Sequence, residues 1–280
     1  MNFRLDRLLT LYLFNPLLRF AGGKTAILMY HSISDGFQNV HPYYLTVTSP
    51  AVFAEQMRFL HENGCHVIDL MTLVENLNTG KEPAPGSVVL TFDDGLHDFY
   101  THAFPLLQEY GFPATVFLTT GPIDQSASFM GCRCLAWDEV RELKKYGVSF
   151  GSHTHSHPVL NQIAERELLF EIARSKERIE SETGDSVDAF SYPYAFPEHD
   201  RAHKQKLDAI LSMNGYKCCV TTRIGTTSRK DDIFCLKRLP VNSMDDRLLL
   251  KAKIDGAYDW LSTLQYSYKR VVRRTSGRCP

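Results

Sequence analysis

Short apolar runs alternate with helical patterns along the middle of the chain. The runs that predict strands lie at residues 25–30, 87–92, 114–118, 148–151, 189–192 and 218–221. Two of the intervening helices are well delimited: residues 49–63 offer Ser49 as an N-cap and Pro50 as the first helical residue, and residues 165–183 stop before Gly184. This alternation predicts a parallel sheet or barrel, whose ligand sites lie at the carboxyl ends of the strands.

Two polar motifs follow predicted strands directly. Asp93 and Asp94 end an apolar run, and because burying an unpaired carboxylate is costly, we expect them where the strand opens into a cleft. His153, His155 and His157 crowd three imidazoles into the start of another loop. One aspartate and two histidines suit a divalent metal with an open position for water, and an extended chain would also allow a three-histidine zinc site.

Composition is that of a globular enzyme. The chain has 280 residues, of which 44% are hydrophobic, and a net charge of -1, so no basic excess argues for nucleic acid as a partner. Its seven cysteines are an odd set without the paired spacing of a zinc ribbon. We interpret them as reduced thiols in a reducing compartment, and therefore expect a cytoplasmic protein.

The two ends differ from the middle of the chain. Residues 5–20 are apolar and helical in pattern, but charges and Pro16 interrupt them, which excludes a bilayer span of about 20 apolar residues and argues against a signal peptide. The carboxyl end mixes aromatic and basic residues. The amino end is then either a helix packed on the catalytic domain or an anchor at the membrane surface. The carboxyl end is either a solvated tail or a second peripheral membrane contact. Without repeats or linkers, we expect a single domain with three parts: an apolar and basic helical segment 1–23, a catalytic domain 24–245 and an aromatic and basic tail 246–280.

Three motifs follow one another along the chain: Thr91-Phe92-Asp93-Asp94-Gly95, then His153 to His157 in the spacing H-[ST]-x-x-H, then Tyr192-Pro193-Tyr194. In this order they resemble the motifs of the polysaccharide deacetylases, the NodB-like carbohydrate esterase family 4. The resemblance covers about residues 24–242. It implies a distorted, incomplete (β/α) barrel with fewer than eight strands, and removal of N-acetyl groups from N-acetylated sugars of a polysaccharide or lipid-linked glycan.

The resemblance also implies roles for single residues. Asp94, His153 and His157 become the ligands of one divalent metal, with zinc the first choice, and Asp93 becomes the general base. His155 is then left outside the ligand set. The resemblance makes the backbone N–H of Tyr194 an oxyanion donor, beside Pro193. Trp137 resembles a weaker family motif near the groove, where it would stack on a sugar or pack in the core.

Two departures from the family pattern need replacements. The family's carboxyl-terminal Leu-x-His motif is absent, and His31, in a Tyr-His motif similar to that of the poly-N-acetylglucosamine deacetylase branch, is assigned as general acid with an ordinary imidazole pKa. Many members also have an arginine that orients the catalytic aspartate where this chain has Ser191. We expect another base to replace it, Arg238 in preference to Arg223.

Two other functions remain open on the sequence. A C–N hydrolase of small amides on the same scaffold would release acetate from small amides and not from N-acetylglucosamine oligomers. A noncatalytic carbohydrate-binding protein would bind glycan without metal and would need no general base.

Overall fold

The computed structural model describes residues 4–15, 23–36 and 45–267. At its centre is a ring of seven parallel strands. In chain order, β1 to β7 are Lys24–Tyr30, Ser87–Phe92, Thr115–Leu118, Ser149–Ser152, Ala189–Ser191, Cys218–Ile224 and Leu236–Pro240. Each strand pairs with the next. The ring closes where Leu28 and Met29 of β1 lie beside Leu239 and Pro240 of β7. The predicted (β/α) barrel with fewer than eight strands is confirmed, and a register shift between β6 and β7 distorts it.

Six of the seven strands coincide with predicted runs, and β7 was not predicted. Lys237 and Arg238 interrupt its apolar residues, so the sequence there does not look like a buried strand. Arg238 is nevertheless fully buried. A charge can occupy a barrel strand only if the interior pairs it, and this pairing depends on the tertiary structure.

Helices and short strands surround the ring. The α-helices are, in chain order from α1 to α9, Leu5–Leu9, Pro50–Glu62, Leu70–Thr79, Phe104–Tyr110, Thr120–Asp124, Trp137–Lys145, Glu165–Thr183, Arg201–Met213 and Arg247–Ile254. Shorter helical pieces are the π-helical Thr10–Phe14 and Phe99–Ala103 and the 3₁₀ turn Leu160–Gln162. Short strands are Ser32–Ile33, Val47–Thr48, His66–Val67, Ser128–Phe129, Cys132–Arg133 and Thr227–Ser228. As predicted, α2 starts at Pro50 with the Ser49 side chain accepting a hydrogen bond from the Val52 N–H, and α7 ends at Gly184.

The inside of the barrel is layered, because alternate strand residues point inward. The lowest layer is apolar and packs against α3; it includes Ile27, Val89, Phe117, Val220 and Leu236. Above it lies a polar layer around Arg238, whose guanidinium carbon is 5.9 Å from the centre of the Phe117 ring. Gly151 makes room for that ring, since a Cβ there would lie 2.5 Å from its atoms. The layering leaves the carboxyl ends of the strands free for the site.

The two ends of the described chain pack on each other. Arg4 pairs with buried Asp245 at 3.1 Å, and the Tyr258 hydroxyl donates to Asp6 at 2.7 Å. The Trp260 indole donates to Thr10 at 3.0 Å. Residues 246–267 are thus tied to the amino end, and through Gln265 to β6, whereas residues 268–280 lie outside the described part. The division into three parts stays a prediction. Across the described residues, no helix is long and apolar enough to cross a membrane.

Candidate active site

The aspartate pair sits where β2 ends. Asp93 continues the strand, with its N–H donating to the Tyr30 carbonyl at 3.0 Å, and Asp94 turns into the left-handed region at φ 76°. Aspartate tolerates this conformation better than most residues, and Gly95 follows it at φ 68°. A Cβ on Gly95 would lie 2.8 Å from Leu118. The turn buries both carboxylates at the mouth of the barrel, with Asp93 2% and Asp94 6% exposed.

The histidine motif follows β4 and is not extended. Thr154 and His157 have φ values of 72° and 59°, and the His157 N–H donates to the Thr154 hydroxyl at 2.9 Å. This turn brings the Nε2 atoms of His153 and His157 to 3.1 Å from each other. It also turns His155 aside, where its Nδ1 meets the Thr120 hydroxyl at 2.9 Å. The three-histidine arrangement needed an extended chain, and the two left-handed residues exclude it.

Three donor atoms converge at this point. Asp94 Oδ1 lies 3.5 Å from His153 Nε2 and 3.6 Å from His157 Nε2. Ligands about 2.0 to 2.1 Å from a tetrahedral zinc would lie about 3.3 Å apart, close to the observed spacing. The His153 Nδ1–H donates to the Ser191 carbonyl at 2.8 Å, which leaves the Nε2 lone pair pointing at the other donors. These residues fit a divalent metal, and within the described part of the chain they form a group able to hold one.

Burial sets the protonation of these donors. It lowers the pKa of His157 to about 3, helped by nearby His153, and also lowers the pKa of His153, so both rings are neutral at pH 7. Burial, with the charge of Asp93, raises the pKa of Asp94 to about 8. Neutral imidazoles are ready to bind a metal, whereas Asp94 has to lose a proton first.

Arg238 holds Asp93 from inside the barrel. Its Nη1 and Nη2 donate to the two carboxylate oxygens, each at 2.7 Å, and its Nε donates to the Thr221 carbonyl at 3.1 Å. The Ser191 hydroxyl accepts from Arg238 at 3.0 Å and donates to Asp93 at 3.2 Å. Burial alone would raise the pKa of Asp93, but the guanidinium outweighs it and holds the pKa well below its usual range. Arg238 therefore lies where an arginine must lie to replace the one that many family members have in place of Ser191.

His31 faces the same carboxylate from the end of β1. Its Nε2 lies 4.0 Å from Asp93 Oδ2. The predicted ordinary pKa is wrong, because burial lowers the pKa of His31 to about 4 and the attraction of Asp93 offsets only part of that. His31 is therefore neutral in the resting protein at pH 7.

The remaining predicted groove residues lie in different places. Tyr194 is 45% exposed at φ 56°, and its ring centre lies 4.5 Å from that of His157. Pro193 beside it is buried. Trp137 is not among the described residues that line the cavity over the site. Its indole N–H donates to Asp124 at 2.9 Å, and the Arg178 guanidinium lies 4.8 Å from its ring centre, so Arg178 covers one face of the ring.

Glu171 also belongs to the site but was not among the predicted residues. This buried residue of α7 accepts hydrogen bonds from the backbone N–H groups of His155 and Ser156 at 2.8 and 2.7 Å, and from the Ser156 hydroxyl at 2.6 Å. It thereby ties down the loop between the two candidate ligands. A signal was present, because Glu171 falls three residues after Leu168 and one before Ile172, on the apolar face of the predicted helix.

None of the described cysteines lines the cavity over the site. All six described cysteines are free thiols, and Cys218 and Cys219 lie in β6 as expected. Cys279 lies outside the described residues.

A parallel barrel with an Asp-His-His donor set at its carboxyl end is the architecture of a metal-dependent hydrolase, and comparison with known proteins identifies which kind. The family model for polysaccharide deacetylase matches residues 80–217. YxkH of Bacillus subtilis strain 168, a protein named for the same family, is 31% identical over 219 residues, which are 78% of this chain and 72% of that protein. The chain belongs to the polysaccharide deacetylase family and is a carbohydrate N-deacetylase.

Two further proteins extend the comparison. The poly-β-1,6-N-acetyl-D-glucosamine N-deacetylase of Escherichia coli strain K12 is 33% identical over 141 residues, which are 46% of this chain but only 20% of that protein. The solved structure of the Streptococcus pyogenes deacetylase PplD, in complex with acetate, superposes with a TM-score of 0.71 at 26% identity, covering 84% of this chain and 99% of that one. His31 and Arg238 both lie outside the span matched by the family model.

Proposed function

We propose that this protein removes the N-acetyl group from an N-acetylated amino sugar, within a polysaccharide or a lipid-linked glycan, with the help of one bound zinc ion. The observation that carries the proposal is the convergence of Asp94, His153 and His157 beside the ionised Asp93. The family membership and the N-deacetylase named among the relatives support this reaction class.

Asp94, His153 and His157 would hold the metal. Bound there, it would supply a nucleophilic water at neutral pH and polarise the acetyl carbonyl. Imidazole and carboxylate donors suit zinc, although other first-row divalent ions accept the same set. The N–H of Tyr194, next to Pro193, is the proposed donor to the oxyanion. Trp137 does not line the cavity, so we assign it no contact with the sugar there.

Asp93 is the proposed general base. The ion pair with Arg238 keeps it ionised, so its lone pairs are available to accept a proton from the attacking water. Its low pKa makes it a weak base that does not retain the proton. Arg238 and Ser191 also fix its orientation, since both of its oxygens are hydrogen-bonded.

His31 is the proposed general acid, and its low pKa changes how it would obtain a proton. A proton accepted by Asp93 would pass to His31 Nε2, because Arg238 lowers the pKa of Asp93 while the charge of Asp93 raises that of His31. The gap of 4.0 Å between the two atoms needs a small ring movement or one water. His31 would then protonate the departing amine, which is the stronger base.

The test is acetate release from N-acetylglucosamine oligomers by zinc-reconstituted protein. Asp93→Asn should abolish release, whereas Asp255→Asn, a change at an exposed aspartate, should not alter it. The zinc affinity of Asp93→Asn should equal that of the parent protein. The loss of activity would then arise from the missing general base and not from loss of the metal. No release by the parent protein on any N-acetylated glycan would overturn the proposal.

We also propose that the protein is cytoplasmic and contacts membranes peripherally through its termini. This proposal is based on the amino-acid composition of the chain and of its two ends. Cosedimentation with anionic liposomes, for the intact chain and for versions shortened at each end, would test it; equal sedimentation of all versions would refute membrane contact.

A further inference from the structure

A large open cavity lies over the candidate active site. Its volume is about 720 Å³, far more than an acetyl group needs, and its base is formed by His31, Asp93, Asp94, His153 and His157. Most of its walls must therefore contact parts of the substrate other than the acetamido group.

The C-terminal helical residues 260–267 form one wall, outside the span matched by the family model. Leu261, Leu264 and Gln265 line the cavity there. Gln265 anchors this wall to β6, because its side chain donates to the Thr222 carbonyl at 2.9 Å and accepts from the Ile224 N–H at 3.0 Å. The wall is thus fixed relative to the catalytic residues.

The walls are mainly aliphatic. Above the five acid and imidazole side chains, the apolar lining residues are Met29, Leu45, Met130, Ala195, Ile224, Pro240, Val241, Leu261 and Leu264, besides two tyrosines. Three polar lining side chains are already used within the protein. Gln265 bonds to β6, the Tyr192 hydroxyl lies 3.2 Å from His203 Nε2, and the Thr222 hydroxyl donates to the Tyr194 carbonyl and accepts from the Phe196 N–H. Sugar hydroxyls placed against such walls would lose their water partners without replacement, which is costly.

The second property of the walls is their charge. Among the described residues, no lysine or arginine lines the cavity, and Arg238 is enclosed behind Asp93. An anionic substituent would find no partner there, whereas an alkyl chain would be stabilised by leaving water. Leu264 is 54% exposed, so the described residues leave part of this apolar wall uncovered.

We infer that the substrate is an N-acetylated amino sugar that carries an alkyl or acyl chain close to the acetamido group, and that Leu264 contributes to its specificity. This inference rests on the proposed deacetylase function and adds the substrate class. The sugar's acetamido group meets the catalytic residues at the base of the cavity, while the chain lies along the wall formed by residues 260–267.

The test uses n-alkyl N-acetyl-β-glucosaminides from methyl to octyl, below their micelle concentrations, with zinc-reconstituted protein. We expect kcat/KM to rise up to about fourfold for each methylene that becomes buried. A long-chain N-acetylglucosaminide in phosphatidylcholine vesicles, assayed beside the dissolved octyl compound, separates a membrane-borne glycolipid from a dissolved one. Turnover of either form in preference to the methyl glycoside supports the inference.

Matched leucine variants locate the effect. Leu264→Asn should make kcat/KM depend less on the length of the alkyl chain, whereas Leu264→Met should retain that dependence. Leu248→Asn alters a leucine that is 63% exposed on α9 and should leave the dependence unchanged. If methyl glycosides and oligomers react as fast as octyl glycosides, the inference is overturned while the deacetylase function stands. If no N-acetylated sugar reacts, the proposed function falls first and the inference falls with it.

Discussion

Arg238 and Asp93 form a buried two-point ion pair, in which Nη1 donates to Oδ1 and Nη2 donates to Oδ2, each at 2.7 Å. The two residues come from β7 and from the end of β2, which are not neighbours in the ring. The pair spans the barrel interior and holds the candidate base in its ionised form.

Arg238→Met should leave this carboxylate buried without its cation, at a cost of about 3–5 kcal/mol in the free energy of unfolding at pH 7. The lowered pKa of Asp93 gives stability above its unfolded pKa, which is lost as pH falls through the folded pKa. The difference between parent and variant should therefore shrink below about pH 4. Urea unfolding at several pH values measures it.

Activity provides a second readout for the same variant. Without Arg238 the pKa of Asp93 should rise. The acid limb of the pH profile of kcat/KM should therefore move to higher pH. Arg133→Met, at an exposed arginine paired with Glu139, should leave both stability and profile nearly unchanged. An unshifted profile in a folded Arg238→Met protein would limit Arg238 to a structural role.

Metal binding should release a proton from Asp94. With a pKa of about 8 in the metal-free protein, Asp94 is mostly protonated at pH 7 and mostly ionised at pH 9. We expect zinc binding to release roughly one proton from Asp94 at pH 6, where a zinc-bound water of pKa about 7 is still mostly un-ionised, and affinity to fall as pH falls below 8. Calorimetry in two buffers of different ionisation enthalpy counts these protons. Asp94→Asn should lose most affinity, and zinc binding at pH 6 without proton release would contradict the assignment.

His31→Ala should retain zinc affinity and lose about 10²- to 10⁴-fold in turnover of N-acetyl substrates, the usual contribution of general acid catalysis. An O-acetyl ester has a leaving group that needs far less protonation. Its hydrolysis should therefore suffer much less in this variant. Comparable losses on amide and ester would argue that His31 shapes the site and does not deliver the proton.

Glu171→Ala should loosen the loop between His153 and His157. It removes the acceptor of two backbone N–H groups and one hydroxyl, which we expect to cost about 1–3 kcal/mol in stability of the metal-free protein. Zinc affinity should fall as well, because the ligands lose their preset spacing. Glu177→Ala, on the exposed side of α7, is the matched control. Unchanged zinc affinity in Glu171→Ala would show that Thr154 alone is enough to shape the loop.

Local patterns were enough to predict much of this protein. The strand runs, the Ser49 cap, the end of α7 at Gly184 and the Asp94, His153 and His157 set all depend on short spacings. Parallel strands then bring their carboxyl ends to one edge whatever the details of packing, so motifs distant in sequence can be placed together.

Other properties depended on closure of the barrel. The charged strand β7, the pairing of Arg238 with Asp93, the low pKa of His31 and the apolar wall containing Leu264 arise from contacts between distant segments. Burial and pairing change the energy of a charge by more than local sequence preferences do, and both are defined only when the ring closes. The sequence by itself therefore determined which residues are the candidates for the chemistry. Only the tertiary structure decided their protonation and the shape of the cavity above them.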